Sequence, residues 1–265
     1  MTRTINIIVN MKAVITGGTK GVGLECVKML SSLQIPILFT GRDNVDIQQV
    51  EHQIPNTKGY VLDLTSPSSV VEFTKSIQDQ PVSILIHNAG YLSTKPVESY
   101  NHVQKLFQVN TFAPMYMTQQ LLPTMKQGHI VFVSPSYQID DKVKYLTPYM
   151  QSKLAQTTYM KSISHIVNQR PISVNSIWTK YPLWTNAIEH RKIGTVEQCM
   201  RPDILSKMVE IIVTKEDPTT FKGNELLDST YLPKHGIDLQ SFQCGENVEL
   251  LDELFLKTLT KKHKK

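Results

Sequence analysis

Short apolar runs alternate along this chain with longer stretches of helical period, the pattern of strands buried on both faces and joined by helices. Residues 12–16 (KAVIT) predict a first strand that ends in a glycine-rich turn at 17–23. Val22, Cys26, Val27 and Leu30 then recur at helical spacing. Residues 36–40 and 59–62 predict a second and a third strand. Pro67 opens a helix carried by Val70, Val71, Phe73 and Ile77, since proline suits a first turn. The fourth, fifth and sixth strands fall at 83–87, 129–134 and 172–178. Between the fourth and fifth, one helix runs through Val103, Leu106, Phe107, Val109 and Asn110 and past Pro114 towards Leu122, before Gly128 breaks it. A long helix follows from near Pro148 to about Asn168. Residues 179–199 read as a loop with a short helix, 202–214 as a helix and 223–228 as a seventh strand.

This alternation predicts an α/β fold, a single doubly wound parallel sheet of about seven strands with helices on both faces. Ligands of such sheets sit at the carboxyl ends of the strands. Neither a repeat nor a low-complexity linker divides the chain. Residues 1–10 read as an N-terminal extension, 11–240 as one domain and 241–265 as a C-terminal tail with a basic end.

Composition narrows the function classes. With 265 residues, 40% apolar and 19% charged, the chain is of ordinary globular type and can bury a core without staples. Its three cysteines, Cys26, Cys199 and Cys244, are far apart, which argues against a disulfide framework and a metal site and favours a reducing compartment. The net charge is +5, but five lysines lie in residues 257–265, and without them acids and bases balance. A terminal basic run of this kind is a solvated tail, so neither nucleic acid nor a membrane surface is expected as a partner. No run approaches the length of a membrane span. With no signal-peptide pattern at the start and no Ser-Lys-Leu at the end, a cytoplasmic location is expected.

The strongest local motif is Thr16-Gly17-Gly18-Thr19-Lys20-Gly21-Val22-Gly23, directly between a strand and a helix. Glycines let the backbone turn tightly and approach a pyrophosphate, whose charge rests on the helix N-terminus. Further downstream stand Asn88-Ala89-Gly90 after the fourth strand, Asn110 in the next helix, Ser134 at the end of the fifth strand, and Tyr149-Met150-Gln151-Ser152-Lys153 at the start of a helix. Together and in this order, these motifs resemble the short-chain dehydrogenase/reductase family over roughly residues 11–230, which implies a Rossmann-type domain and an oxidoreductase. Y-x-x-x-K occurs twice, but Pro96 disfavours helical geometry at Lys95 in the Tyr91–Lys95 match. Tyr149 and Lys153 fall inside a helical stretch, where residues four apart meet.

The pair suits hydride transfer to a carbonyl, which needs a proton at the developing alkoxide. A free phenol near pKa 10 is poorly matched to neutral pH, and an adjacent ammonium lowers it. The resemblance implies Tyr149 as acid/base, and Lys153 as its tuner and a ligand of the nicotinamide ribose. It further implies Ser134 on the substrate oxygen and Asn110 supporting a water that relays protons to Lys153. The family's usual spacing points instead to Ser136, whereas alignment on the strand selects Ser134, 15 residues before Tyr149. Ser134 is the preferred assignment. Gly17, Thr19, Lys20, Gly21, Val22 and Gly23 form the expected cofactor turn; by the same resemblance Asp63 meets the adenine and Asn88 the adenosine ribose. After the second strand the chain has Thr40-Gly41-Arg42 where NAD enzymes of this fold place an acid. Arg42 and Lys20 favour the 2′-phosphate of NADP(H). Asp43 is the contrary residue, though helix capping also accounts for it.

Ser134-Pro135, Asn175 to Lys180, and Phe221-Lys222-Gly223-Asn224 with the following Leu-Asp resemble the hydroxysteroid dehydrogenase-like 2 branch, here without a sterol-carrier domain. Thr179-Lys180 stands where most members have Pro-Gly. Tyr181, Trp184 and Ile188 could line a pocket for a hydrophobic carbonyl or alcohol, or belong to core or subunit interface. The family resemblance implies a homodimer or homotetramer. A catalytically weak NADP(H)-binding redox sensor is the alternative function. A sugar-nucleotide epimerase or dehydratase fits less well, because those chains resemble T-G-x-x-G-x-x-G.

Overall fold

A computed structural model describes residues 11–93, 95, 98–136 and 148–251. The expected N-terminal extension and basic end therefore lie outside the described residues, as does Pro96. Seven strands form one parallel sheet: β1 (Ala13–Ile15), β2 (Ile37–Gly41), β3 (Thr57–Val61), β4 (Ile84–His87), β5 (Gly128–Val133), β6 (Ile172–Trp178) and β7 (Glu225–Leu227). Their order is β3-β2-β1-β4-β5-β6-β7. The order reverses between β1 and β4, so the crevice of a doubly wound sheet opens there.

The helices are α1 (Gly21–Ser32), α2 (Asn44–Gln53), α3 (Pro67–Ile77), α4 (Tyr100–Phe107), α5 (Ala113–Leu121), α6 (Pro148–Ile166), α7 (Asn186–His190), α8 (Asp203–Lys215) and α9 (Asp228–Lys234). Strand alternation explains how both faces are covered. In β5, Val131 and Val133 enter a core with Cys26 and Leu30 of α1 and Met208 and Ile212 of α8. Ile130 and Phe132 enter the opposite core with Phe73 of α3, Met117 of α5 and Met160 of α6. Ser66 caps α3 by accepting from Ser69 N at 3.3 Å, with Pro67 in the first turn. Asp43 caps α2 by accepting from Val45 N at 2.7 Å.

Two expectations change. The helix expected through Val103 and Asn110 towards Leu122 is interrupted by a π segment, Gln108–Phe112, which contains Asn110. Such bulges insert a residue into the helical ladder and re-aim side chains, often beside functional sites. The tail drawn from residue 241 is packed at its start: Phe242 is buried, Cys244 N donates to Cys199 O at 3.0 Å, and Leu251 N donates to Lys180 O at 3.0 Å. The body therefore continues to Leu251. Among the described residues no helix is long and apolar enough to cross a membrane.

Candidate active site

A cleft of about 660 Å³ lies over the carboxyl ends of the strands. One wall is the glycine turn, with Gly17, Thr19, Lys20, Gly21 and Val22. Arg42 follows β2, Asp63 follows β3 and Asn88 follows β4 along its rim and floor. Tyr149 and Lys153 enter from α6, and residues 183, 185–188, 190 and 191 cover it from above. Of the residues expected to bind or react, Gly23, Asn110 and Ser134 do not line it.

The turn is built by long-range bonds. Asn88 Nδ2 donates to Thr16 O at 3.1 Å and to Gly17 O at 3.0 Å, while Thr16 Oγ1 accepts from Asn88 N and Ala89 N, both at 3.2 Å. Asn88 thus laces the end of β1 to the end of β4, besides facing the cleft. Gly17 has φ +70°, and a Cβ on Gly23 would stand 2.0 Å from Gly17 O. The first turn of α1 has neither a side-chain cap nor an acid, so its N–H groups remain suited to an anion. A tight, uncapped glycine turn at the head of a helix fits the pyrophosphate of a dinucleotide.

The cation pair expected for a 2′-phosphate is unequal. Lys20 Nζ lies 2.7 Å from Asp46 Oδ2, which offsets its charge, whereas Arg42 is exposed at the rim. Asp63 accepts from Thr65 N at 2.9 Å and Thr65 Oγ1 at 2.8 Å. These bonds, more than the charges of Arg42 and Lys105, hold its carboxyl below the ordinary range.

Tyr149 is half-buried and lines the cleft one helical turn before Lys153, which is 2% exposed. Lys153 Nζ donates to Val133 O at 2.9 Å and to Gln156 Oε1 at 3.3 Å. Burial raises the Tyr149 phenol above its ordinary value and lowers the Lys153 amine to about 7. Burial thus opposes the expected lowering of the phenol, because desolvation disfavours both charged forms. Tyr91 and Lys95, the second sequence match, lie outside any helix.

Asn110 is fully buried and its amide is engaged: Oδ1 accepts from Tyr91 N at 2.7 Å, and Nδ2 donates to Tyr91 O at 3.1 Å and Ser152 Oγ at 2.9 Å. Thr111 Oγ1 donates to Ser152 O at 2.8 Å. The π segment thus grips the residue before Lys153. Ser134 is 1% exposed and its hydroxyl is bonded to Thr157 Oγ1 at 2.9 Å; Ser136 Oγ donates to Glu225 Oε2 at 2.6 Å. Neither serine lines the cleft. Residues 137–147, which join them to α6, lie outside the described residues.

Thr179-Lys180 is held by a buried carboxylate. Asp228 accepts from Thr179 Oγ1 at 2.8 Å, Lys180 N at 2.9 Å and Ser229 N at 2.6 Å. From this anchor the chain crosses back to the glycine turn, where Thr185 Cγ2 would stand 3.2 Å from a Cβ on Gly21. Of the three apolar candidates in this cover, Ile188 lines the cleft and packs with Ile193, Cys199, Leu92 and Trp184; Tyr181 packs on the main core. Sequence reasoning missed Leu183, His190, Arg191 and Leu251, which also line the cleft. The apolar run at Val248, Leu250 and Leu251 was the available signal for the last.

Known proteins repeat this architecture. A short-chain dehydrogenase from Mycobacterium thermoresistibile superposes with a TM-score of 0.80 at 18% identity, covering 91% of this chain and 94% of that one. A metagenomic short-chain oxidoreductase in complex with NADP gives 0.69 at 22% identity, covering 83% and 97%. Dehydrogenase/reductase SDR family member 7B of Mus musculus is 27% identical over 187 residues, which span 65% of this chain and only 58% of that protein. A fatty acyl-CoA reductase of Acinetobacter baylyi is 25% identical over 216 residues, spanning 77% and 72%. Residues 11–190 match the family described as short chain dehydrogenase. The chain belongs to the short chain dehydrogenase family.

Proposed function

We propose that the protein is an NADP(H)-dependent oxidoreductase interconverting a carbonyl and an alcohol, with Tyr149 as acid/base. One observation carries this reading: Tyr149 and Lys153, a turn apart on α6, open into the same cleft as the glycine turn. Gly17, Thr19, Gly21 and Val22 would hold the pyrophosphate, Arg42 a 2′-phosphate, Asp63 and Asn88 the adenosine, and Lys153 the nicotinamide ribose. Bound there, the nicotinamide supplies or accepts a hydride.

The chain's own residues supply the rest. Tyr149 gives a proton to the carbonyl oxygen as it becomes an alkoxide, and Lys153 holds positive charge beside the phenolate that remains. Asn110 and Thr111 fix Ser152, and through it the turn that carries the amine. The Asp228 anchor holds the cover that excludes water. Leu92, Leu183, Ile188 and Leu251 make part of the wall apolar, which supports a hydrophobic substrate. Exposed Tyr100, Phe112 and Ile166 support self-association, with light scattering as the test. A cytoplasmic location remains part of this proposal.

NADPH oxidation against a panel of aldehydes, ketones and quinones tests it, and turnover is the expected result. The burial of Ser134 and the engagement of Ser136 by Glu225 favour a second reading, an NADP(H) sensor of weak activity. Tight NADPH binding without turnover across the panel would select that reading.

Two cofactor predictions follow from the cleft. Gly23→Ala places a methyl against Gly17 O and is expected to weaken NADPH binding by at least 1.4 kcal/mol, about tenfold. A calorimetric Kd equal to wild type would contradict the assigned turn. Arg42→Ala removes the exposed cation and its charge-assisted bonds, each worth about 1.5–3 kcal/mol. The NADPH over NADH preference in kcat/KM is expected to fall about 10–100-fold. An unchanged ratio would place the 2′-phosphate elsewhere.

A further inference from the structure

The buried face of α6 carries Lys153, Gln156, Thr157 and Met160, at the spacing of a core stripe. Met160 obeys the apolar rule; Gln156 departs from it. Gln156 is 0% exposed, and its Nε2 has no hydrogen-bond partner among the described residues. A buried amide left half-satisfied destabilises a fold, where an apolar residue would not. Its other half does something an apolar residue cannot: Oε1 accepts from Lys153 Nζ at 3.3 Å.

An ammonium has three N–H donors and no acceptor. Val133 O takes one donor at 2.9 Å and Gln156 Oε1 a second. The third has no acceptor among these two, and the amine borders the cleft beside Gly90, where a Cβ would stand 3.5 Å from Nζ. We propose that Gln156 is a positioning residue for Lys153: its amide oxygen and the Val133 carbonyl anchor the ammonium from behind, leaving one donor for a cofactor hydroxyl in the cleft. This rests on the reductase reading of the same site.

The titratable groups around the amine are Tyr149 on its own helix and His87 at the end of β4. His87 Nε2 pairs with Thr118 Oγ1 at 2.8 Å, and burial lowers the ring to about 3, so it stays neutral. Tyr149 is a neutral phenol at pH 7. The anchor is thus a neutral acceptor pair whose dipoles offset part of the desolvation of the charge. Removing one acceptor should deprotonate Lys153 at lower pH, and an acid in its place should do the reverse.

The test is the titration of the Lys153 amine, followed by NMR of the protein carrying 13Cε-labelled lysine, in wild type, Gln156→Leu, Gln156→Met and Gln156→Glu. The pKa is expected to fall by about one unit in the Leu and Met variants and to rise above wild type in Gln156→Glu. The alkaline limb of kcat/KM for NADPH should move with it, whereas general damage would lower activity equally at all pH values. Met matches glutamine in length, so it keeps the comparison valid if Leu packs poorly. A wild-type amine titration in the Met or Leu variant overturns the proposal, as does a Glu variant that titrates with them. A shifted amine in a protein that oxidises no NADPH would instead sink the reductase reading.

Discussion

Tyr149→Phe is expected to reduce kcat for NADPH-dependent carbonyl reduction about 10²–10⁴-fold, the usual worth of a positioned acid, while NADPH binding stays near wild type. The ring remains in place, so only the proton is lost. Burial raises the phenol above its ordinary value, so the group is fully protonated at neutral pH. That state is ready to donate, which favours reduction; oxidation of the alcohol needs the phenolate and should accelerate as pH rises. Single-turnover NADPH oxidation and a pH series in both directions check these points. A Phe variant with wild-type kcat would remove Tyr149 from the chemistry.

Lys153→Met should be as damaging to turnover, and it also makes a prediction about stability that needs no substrate. Burial lowers the amine from 10.5 to about 7 in the folded chain. Between those pH values the unfolded chain holds a proton that the folded chain has released. Stability from this group therefore rises with pH from about 7 to 10.5, and does not change below or above that window. Each pH unit is worth about 1.4 kcal/mol, so Tm of the wild type should gain several degrees across the window relative to the variant. The slope is the clean readout, because Met also leaves Val133 O and Gln156 Oε1 without their donor. Parallel Tm–pH curves would show that Lys153 is not buried as a titrating group.

The features that local patterning made legible are those whose cause is local. Strand β6 coincides with the apolar run 172–178, because a strand buried on both faces has little freedom to begin or end elsewhere. The Tyr149–Lys153 pair could be assigned because residues four apart on a helix meet whatever surrounds them, and the Gly17–Gly23 turn because glycines between strand and helix solve a local steric problem. The helix through Asn110 reads as continuous in the sequence, since a π segment leaves hydrophobic spacing nearly intact while adding one residue to the ladder.

The partners that finish the site come from far along the chain, and no period records them. Asn88 reaches Thr16 and Gly17 across more than 70 residues of sequence, and Asn110 joins Tyr91 to Ser152. Ser134 and Ser136 sit two residues apart, yet one turns into the interior against Thr157 and the other out to Glu225 on β7. Asp228 clamps Thr179-Lys180, and Leu251 closes a cleft that begins at Gly17. Hydrogen bonds and desolvation depend on which groups the fold brings within about 3 Å. Local spacing therefore determined where the proposed catalytic pair and the proposed phosphate turn lie, while their charge states, their supports and the cover above them were set by packing between distant segments.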